Sequence, residues 1–259
     1  MPEPADHHIK PINAQSYLDA LSPVMAAVAE QAGGPVLAAA DLIAESVKNG
    51  GVLQTFGSGH SEALAMELAG RAGGLVPSNR ISLRDVVVHG GESPDVLGRG
   101  ILERDPAIAA RLYELATPDP RDVFVIASSS GVNGSVVEMG RIVKERGHPL
   151  IAITSLAHTN GVDSRHPSGQ KLVDHADVVL DNGAPYGDAV LPMPGGGSAC
   201  AVSSITAALL AQLVTAEVVR RLLDAGETPP VYLSANVPGG DEHNHALEER
   251  YAGRIRRTA

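Results

Sequence analysis

Residues 52–61 read VLQTFGSGHS, and residues 123–134 repeat the same pattern as VFVIASSSGVNG. In both stretches an apolar run stops at a loop of small residues, and a helical pattern follows, over residues 62–72 and 135–146. A short apolar run bounded by glycine and serine is typical of a buried strand. The two stretches therefore predict two units, each consisting of a strand, a tight loop and a helix.

Both loops have the chemistry of an anion site. A small-residue loop at a helix N-terminus exposes backbone N–H groups, the helix end adds partial positive charge, and serine hydroxyls add donors. The alternative is a turn with an ordinary helix N-cap, because serine and asparagine are favoured there as well. The second loop carries more donors than a cap requires, so the pair of loops predicts a phosphorylated small molecule held between them. The residues predicted to bind it are Ser58, His60, Ser61, Ser128, Ser129, Ser130 and Asn133.

Helical patterns alternate with β-rich runs along the chain, which predicts an α/β fold with a parallel sheet covered on both faces. Further strands are expected at residues 75–77, 150–154 and 176–180. Ligands of open parallel sheets bind at the carboxyl ends of the strands, where both loops fall. Residues 78–103 indicate a mixed loop and short helix, and residues 186–198 are rich in proline and glycine.

The composition excludes several classes of protein. The 259 residues carry a formal net charge of −10 at pH 7, so nucleic acid and anionic membranes are poor partners. Cys200 is the one cysteine, which rules out an intrachain disulfide and a cysteine-rich metal site. Residues 1–10 are polar and lack the apolar core of a signal peptide, so a cytoplasmic location is expected. Residues 199–219 contain too many polar side chains for a membrane span and indicate a buried helix.

In combination these segments resemble the sugar isomerase (SIS) domain, and more narrowly the UPF0309 group of stand-alone SIS domains. Besides the two loops, the resemblance rests on residues 67–68, 71–77, 151–155, 164–166, 234–237 and 239–244. It implies a doubly wound five-stranded parallel sheet flanked by helices, a flavodoxin-like three-layer sandwich. It also implies one SIS domain over residues 1–259, with an N-terminal helical extension at about 14–50 and a C-terminal helical tail at about 236–259.

Two carboxylates after the first loop are candidates for a catalytic base. Glu62 lies in the first helical turn, where a carboxylate also interacts favourably with the helix dipole. The resemblance points to Glu67 as well, since heptose phosphate isomerases carry a base glutamate on the corresponding helix, about one turn farther from its loop. Glu67 is also spaced to form an ordinary surface ion pair with Arg71, four residues later.

Histidines supply the candidate proton donors. His243 follows Asp241 at the start of the last predicted helix, and histidine is the side chain that titrates near neutral pH. The alternative for this position is an exposed helix start with Asp241 as its N-cap. His89 and Glu92 flank a glycine pair in the mixed segment and are further candidates.

Proton abstraction beside a carbonyl is the chemistry that fits these residues. A glutamate would take the C2 proton of a ring-opened hexose or N-acetylamino-sugar 6-phosphate, and a histidine or hydroxyl would move a proton to or from oxygen. Loss of the C3 substituent would make the protein a lyase of the dehydratase or etherase kind, which the resemblance favours slightly. Return of the proton at C1 would make it an aldose–ketose isomerase. The non-enzymatic alternative is a phosphosugar sensor. The sequence has no paired histidines at zinc-binding spacing and no nucleotide-phosphate loop, so neither a metal nor a cofactor is expected.

We predict that the protein forms at least a homodimer. Two apolar helical stretches, residues 14–31 and 199–219, are more than one thin sheet buries, and the SIS resemblance implies sites between subunits. His243 is expected to contribute at or near that interface. Light scattering checks the assembly, and a monomer would contradict it. If Glu62 is the base, mixing Glu62→Gln subunits with His243→Ala subunits should restore some activity; a stable dimer without such complementation would reject only the shared site.

Overall fold

Both predicted strand–loop–helix units are present in the structure, a computed structural model that describes residues 11–257. The strands are β1 (Leu53–Gly57), β2 (Ser78–Ile81), β3 (Val123–Ala127), β4 (Leu150–Thr154), β5 (Val178–Asp181), β6 (Ala189–Pro192) and β7 (Ser198–Ala201). The helices are α1 (Ala14–Ala29), α2 (Pro35–Lys48), α3 (Glu62–Leu68), α4 (Asp85–Val88), α5 (Ala107–Ala116), α6 (Gly134–Glu145), α7 (Leu156–Asn160), α8 (Ser203–Asp224) and α9 (Gly240–Glu249). Residues 1–10, on which the expected cytoplasmic location depends, lie outside the described part.

Five strands form one parallel sheet in the order β2-β1-β3-β4-β5, and β6 pairs with β7 in a separate antiparallel hairpin. Leu53 of β1 pairs with Ser78 on one side and with Val123 on the other. The five-stranded doubly wound sheet predicted from the sequence is therefore confirmed.

Strand β3 shows why the sheet is covered on both faces. Val123, Val125 and Ala127 point into one apolar core, which α2, α3 and α8 complete. Phe124 and Ile126 point into the opposite core, which α4, α5 and α6 complete. Successive side chains of a strand alternate between faces, so a run of apolar residues without alternation needs a layer of helices on each side.

The connections after β1 and β3 leave the sheet in opposite directions. Leu64 and Leu68 of α3 pack in the first core, whereas Val136 and Met139 of α6 pack in the second. Because β1 and β3 are neighbours, their loops diverge and leave a crevice at the carboxyl ends of the strands. The topology alone thus places both predicted anion loops at one opening.

The strand predicted at residues 75–77 is wrong, since β2 begins at Ser78. Leu75 instead forms an isolated antiparallel bridge with Val231, and the Val76 amide donates to the Pro230 carbonyl. Pro77 has no N–H to donate to a ladder, which limits pairing of this segment with the sheet.

Two further boundaries differ from the sequence pattern. Helix α3 ends at Leu68 rather than residue 72, because Ala69 already has the extended angles φ −121° and ψ 122°. Residues 186–198 gave no sign of the β6–β7 hairpin, whose strands are short and whose turn contains three consecutive glycines, Gly195–Gly197.

Helix α8, predicted as a buried helix, packs one face against α1, α2 and α3, whereas Ile205, Gln212 and Leu223 are exposed in one copy of the chain. Leu210, Val214 and Val218 are buried along it. Within residues 11–257 no helix combines the length and the apolar character that a membrane crossing requires.

A buried aspartate joins the amino ends of the strands to the chain after α9. The Asp122 side chain is fully buried, and its Oδ1 accepts hydrogen bonds from the Val52 amide (2.8 Å) and the Arg254 guanidinium (2.6 Å). Its Oδ2 accepts from the Gln54 side chain (2.9 Å) and the Asp119 amide (3.0 Å). The carboxylate is therefore fully satisfied, and the groups around it depend on it as their acceptor.

Asp122→Ala should lower the free energy of unfolding by about 3–5 kcal/mol, because it leaves a guanidinium and buried N–H groups without their acceptor. Asp224→Ala is the matched control: its carboxylate is 64% exposed in a surface pair with Arg220, and its loss should change stability by less than about 1 kcal/mol. Urea unfolding of both variants measures the difference. Equal losses would contradict a special role for Asp122.

Candidate functional site

A cleft of about 500 Å³ opens at the carboxyl ends of the strands. All the residues predicted to bind phosphate line it: Ser58, His60, Ser61, Ser128, Ser129, Ser130 and Asn133. The ends of β4 and β5 and the first turn of α8 supply more of the lining, including Asn182, Asp188 and Ser203. The structure thus brings both loops to one cavity.

The serine loop, residues 128–133, is held to the rest of the protein through its carbonyl groups. The Ser129 carbonyl accepts from the Ser155 amide at 3.1 Å, and the Ser130 carbonyl accepts from the Thr159 hydroxyl at 2.9 Å. The next two carbonyls accept from the amides of Leu172 and Arg165. Four consecutive carbonyls are therefore occupied by protein donors.

The amide groups of the same loop are available to a ligand. Among the described residues, no acceptor bonds the amides of Ser129 and Ser130, which both line the cleft. The Ser128 hydroxyl accepts from the Gly131 amide at 3.1 Å and tightens the turn. Gly131 has a φ of +64°, which favours glycine, and a Cβ there would lie 3.2 Å from the Thr159 hydroxyl, a tight contact.

The amino end of α6 adds further donors beside the serine loop. Asn133 is the N-cap residue but its side chain caps no helix amide; its Oδ1 lies 3.4 Å from the Arg165 guanidinium instead. A Cβ on Gly134 would lie 2.3 Å from the Arg104 carbonyl, so glycine at this position lets the segment before α5 approach the helix end.

That close approach places Glu103 in the cleft. The Ser135 hydroxyl donates to the Glu103 carbonyl at 2.8 Å, which holds the backbone against α6. The Glu103 Oε2 atom lies 3.4 Å from where a Cβ on Gly59 would be, so the carboxylate reaches the first loop. No described donor or cation pairs with this carboxylate. Glu103 was not among the residues predicted from the sequence, because nothing local marks it as different from other surface glutamates.

Two other side chains of the lining were also missed. His158 of α7 packs against Tyr186 with the rings tilted by 41° and their centroids 5.1 Å apart, and its buried Nδ1 has no hydrogen-bond partner among the described residues. Asp188, with a φ of +70°, accepts from the amides of Val202 (3.1 Å) and Ser203 (2.8 Å) and so caps α8 from outside the helix. The Ser203 hydroxyl donates to the same carboxylate at 2.6 Å.

Neither glutamate predicted as a base is among the residues that line the cleft in one copy of the chain. Glu62 accepts from the Ser82 hydroxyl at 2.7 Å, with Arg80 4.0 Å away. Glu67 pairs with Arg71, as the helical spacing allowed, and accepts from the Gln212 side chain at 2.6 Å. Both carboxylates are thus engaged with other protein groups.

The remaining candidates also lie outside the lining of the cleft. His243 is exposed, and its Nε2 bonds the Val231 carbonyl at 3.0 Å. His89 is exposed after α4 and Glu92 is half-buried in the following loop. Burial raises the pKa of the nearby Asp85 carboxyl, and the Ser82 amide and the His89 imidazole partly oppose that rise. Within residues 11–257, no three metal-ligating side chains lie close enough together to hold an ion.

Comparison with known proteins defines the class of the fold. The sequence profile of the SIS domain matches residues 16–155. Two solved structures share the fold. A phosphoheptose isomerase from Francisella tularensis has a TM-score of 0.52 and 17% identity, over 79% of this chain and 95% of that one. A phosphoheptose isomerase from Neisseria gonorrhoeae has a TM-score of 0.50 and 19% identity, over 80% of this chain and 98% of that one.

A UPF0309 protein from Listeria monocytogenes is 42% identical over 218 residues, which cover 84% of this chain and 88% of that protein. The chain therefore belongs to the SIS-domain family and, within it, to the UPF0309 proteins. The resemblance found in the sequence is confirmed.

Proposed function

We propose that the cleft binds a phosphosugar, with its phosphate on the serine loop and the amino end of α6. One observation carries this proposal: protein donors occupy the loop carbonyls, whereas the amides of Ser129 and Ser130 have no acceptor within residues 11–257. Backbone amides, hydroxyls and a helix N-terminus together suit a phosphate, whose oxygens accept several hydrogen bonds at once.

We further propose that the protein is an enzyme and that Glu103 is its base. Glu103 is the cleft carboxylate that no donor among the described residues occupies, whereas the Asp188 carboxylate is bound to the start of α8. It would take the proton from C2 of a ring-opened hexose or N-acetylamino-sugar 6-phosphate. The electron pair left at C2 then forms a double bond to C3 as the C3–O bond breaks, and His60 or His158 gives a proton to the departing oxygen.

We favour elimination at C3 because the chain resembles the etherase branch of the SIS-domain proteins, and an imidazole and a carboxylate line the cleft to move the protons. A 2-acetamido group blocks simple aldose–ketose exchange and leaves elimination as the outcome. The same proton abstraction would begin an isomerisation on a 2-hydroxy sugar, and the products distinguish the two.

The homodimer remains part of the proposal. Met66 of α3 and Ile205 of α8 are 53% and 41% exposed, and both helices border the cleft. Exposed apolar side chains beside a site suit contact with a second copy.

Ser128→Ala combined with Ser130→Ala should weaken phosphosugar binding by roughly 100-fold or more, because each hydrogen bond to a charged group contributes about 1.5–3 kcal/mol. Ser22→Ala is the control, since its exposed hydroxyl bonds only the Leu18 carbonyl within α1. Calorimetry with glucose 6-phosphate and N-acetylglucosamine 6-phosphate measures both variants. An unchanged affinity in the double variant would show that the phosphate does not bind at this loop.

Glu103→Gln should slow the incorporation of deuterium at C2 of the substrate in D₂O by about 100-fold or more, the usual scale for a general base, while the ligand still binds. Glu62→Gln and Glu67→Gln are matched controls and should retain exchange. NMR follows the exchange before any product is identified. A wild-type protein that binds the sugar phosphate but never catalyses exchange would be a sensor. Loss of exchange in Glu62→Gln or Glu67→Gln would identify that glutamate as the base instead of Glu103.

A further inference from the structure

The lining of the cleft contains carboxylates but no lysine or arginine among the described residues. Arg165 lies at its rim, where the guanidinium approaches the Asn133 side chain at 3.4 Å. His60 and His158 are the imidazoles of the lining, and Glu103 and Asp188 are its carboxylates. Donor groups from both loops thus line the cleft, and the Arg165 guanidinium lies beside the serine loop.

The second helix N-terminus at the cleft is already occupied. The Asp188 carboxylate accepts from the first amides of α8 and from the Ser203 hydroxyl, so the positive end of that helix holds a protein anion. A second acidic group of a ligand would find no free helix end there. The partial positive charge at the start of α8 is already neutralised by the Asp188 carboxylate.

Glu103 makes the remaining space unfavourable for a second anion. Its carboxylate has no partner among the described residues and reaches Gly59 of the first loop. Like charges a few ångströms apart repel strongly where walls of low dielectric limit the screening by water. A ligand with a phosphate on the serine loop would therefore be penalised for a carboxylate or second phosphate elsewhere.

We infer that the cleft selects sugars whose only acidic group is the phosphate, and that Glu103 is the residue that excludes a second one. This inference rests on the function proposed above. In the elimination at C3, the departing group would then be uncharged, such as water, and an ether that carries a carboxylate would be a poor substrate. The selected class is neutral hexose and N-acetylamino-sugar monophosphates.

A set of ligands of matched size tests this selection. N-acetylmuramic acid 6-phosphate carries a lactyl carboxylate on O3, and its lactyl amide has nearly the same shape without the charge. Both are compared with N-acetylglucosamine 6-phosphate, each reduced at C1 so that no reaction follows binding. Calorimetry gives the dissociation constants for the wild type, Glu103→Gln and the control Glu114→Gln, whose carboxylate is exposed on α5 and does not line the cleft.

The wild type should bind the acid at least about tenfold more weakly than the amide, because repulsion from Glu103 acts on the acid alone. Glu103→Gln should reduce that ratio to below about threefold, and Glu114→Gln should leave it unchanged. Added salt should also reduce the wild-type ratio.

Equal binding of acid and amide to the wild type would overturn the inference. So would a ratio that Glu103→Gln does not change, or rejection of the amide as strong as that of the acid, which would indicate size rather than charge. Binding of N-acetylglucosamine 6-phosphate in any of these cases leaves the proposed function standing. If none of the three sugars binds, the proposed function fails and the inference falls with it.

Discussion

The site depends on one constraint of topology: neighbouring strands β1 and β3 send their following helices to opposite faces of the sheet. A sheet buried on both sides needs helices on both sides, and the chain supplies them by reversing direction between these two strands. The loops at their carboxyl ends cannot close over one another. The cleft is thus a consequence of how the two cores are filled by Leu64 on one side and Val136 on the other.

The strands, loops and helices of the central units could be predicted because their signals are local. Strand β3 is a continuous apolar run, β4 is apolar up to Thr154, and β1 carries Gln54 and Thr55 between Leu53 and Phe56; serine and glycine mark where β1 and β3 end. The seven loop residues predicted to bind phosphate all line the cleft for the same reason. A residue directly after a parallel strand has its position fixed by the sheet, whatever the rest of the chain does.

The other wall of the cleft could not be predicted because it depends on contacts between distant segments. Glu103 enters the cleft because glycine at position 134 lets a segment some thirty residues earlier in the chain approach α6. Asp188 caps a helix that begins fifteen residues later, across a hairpin that the sequence pattern did not reveal. Glu67 shows the converse: the ion pair with Arg71 was readable from helical spacing, and the structure contains it.

The four bonded carbonyls of the serine loop also bear on how the empty protein behaves. A loop held at its carbonyl groups loses little conformational freedom when a ligand arrives, so most of the contact energy can appear as affinity. The unbonded amides of the same loop are, by contrast, unprotected from hydrogen exchange. The N–H groups of Ser129 and Ser130 lie in a segment held by its carbonyls, yet nothing in the described part of the chain accepts from them. They should therefore exchange with solvent hydrogen far faster than the β3 amides next to them. A rigid backbone and rapid exchange, which usually exclude one another, would then coincide at this loop until a ligand fills it.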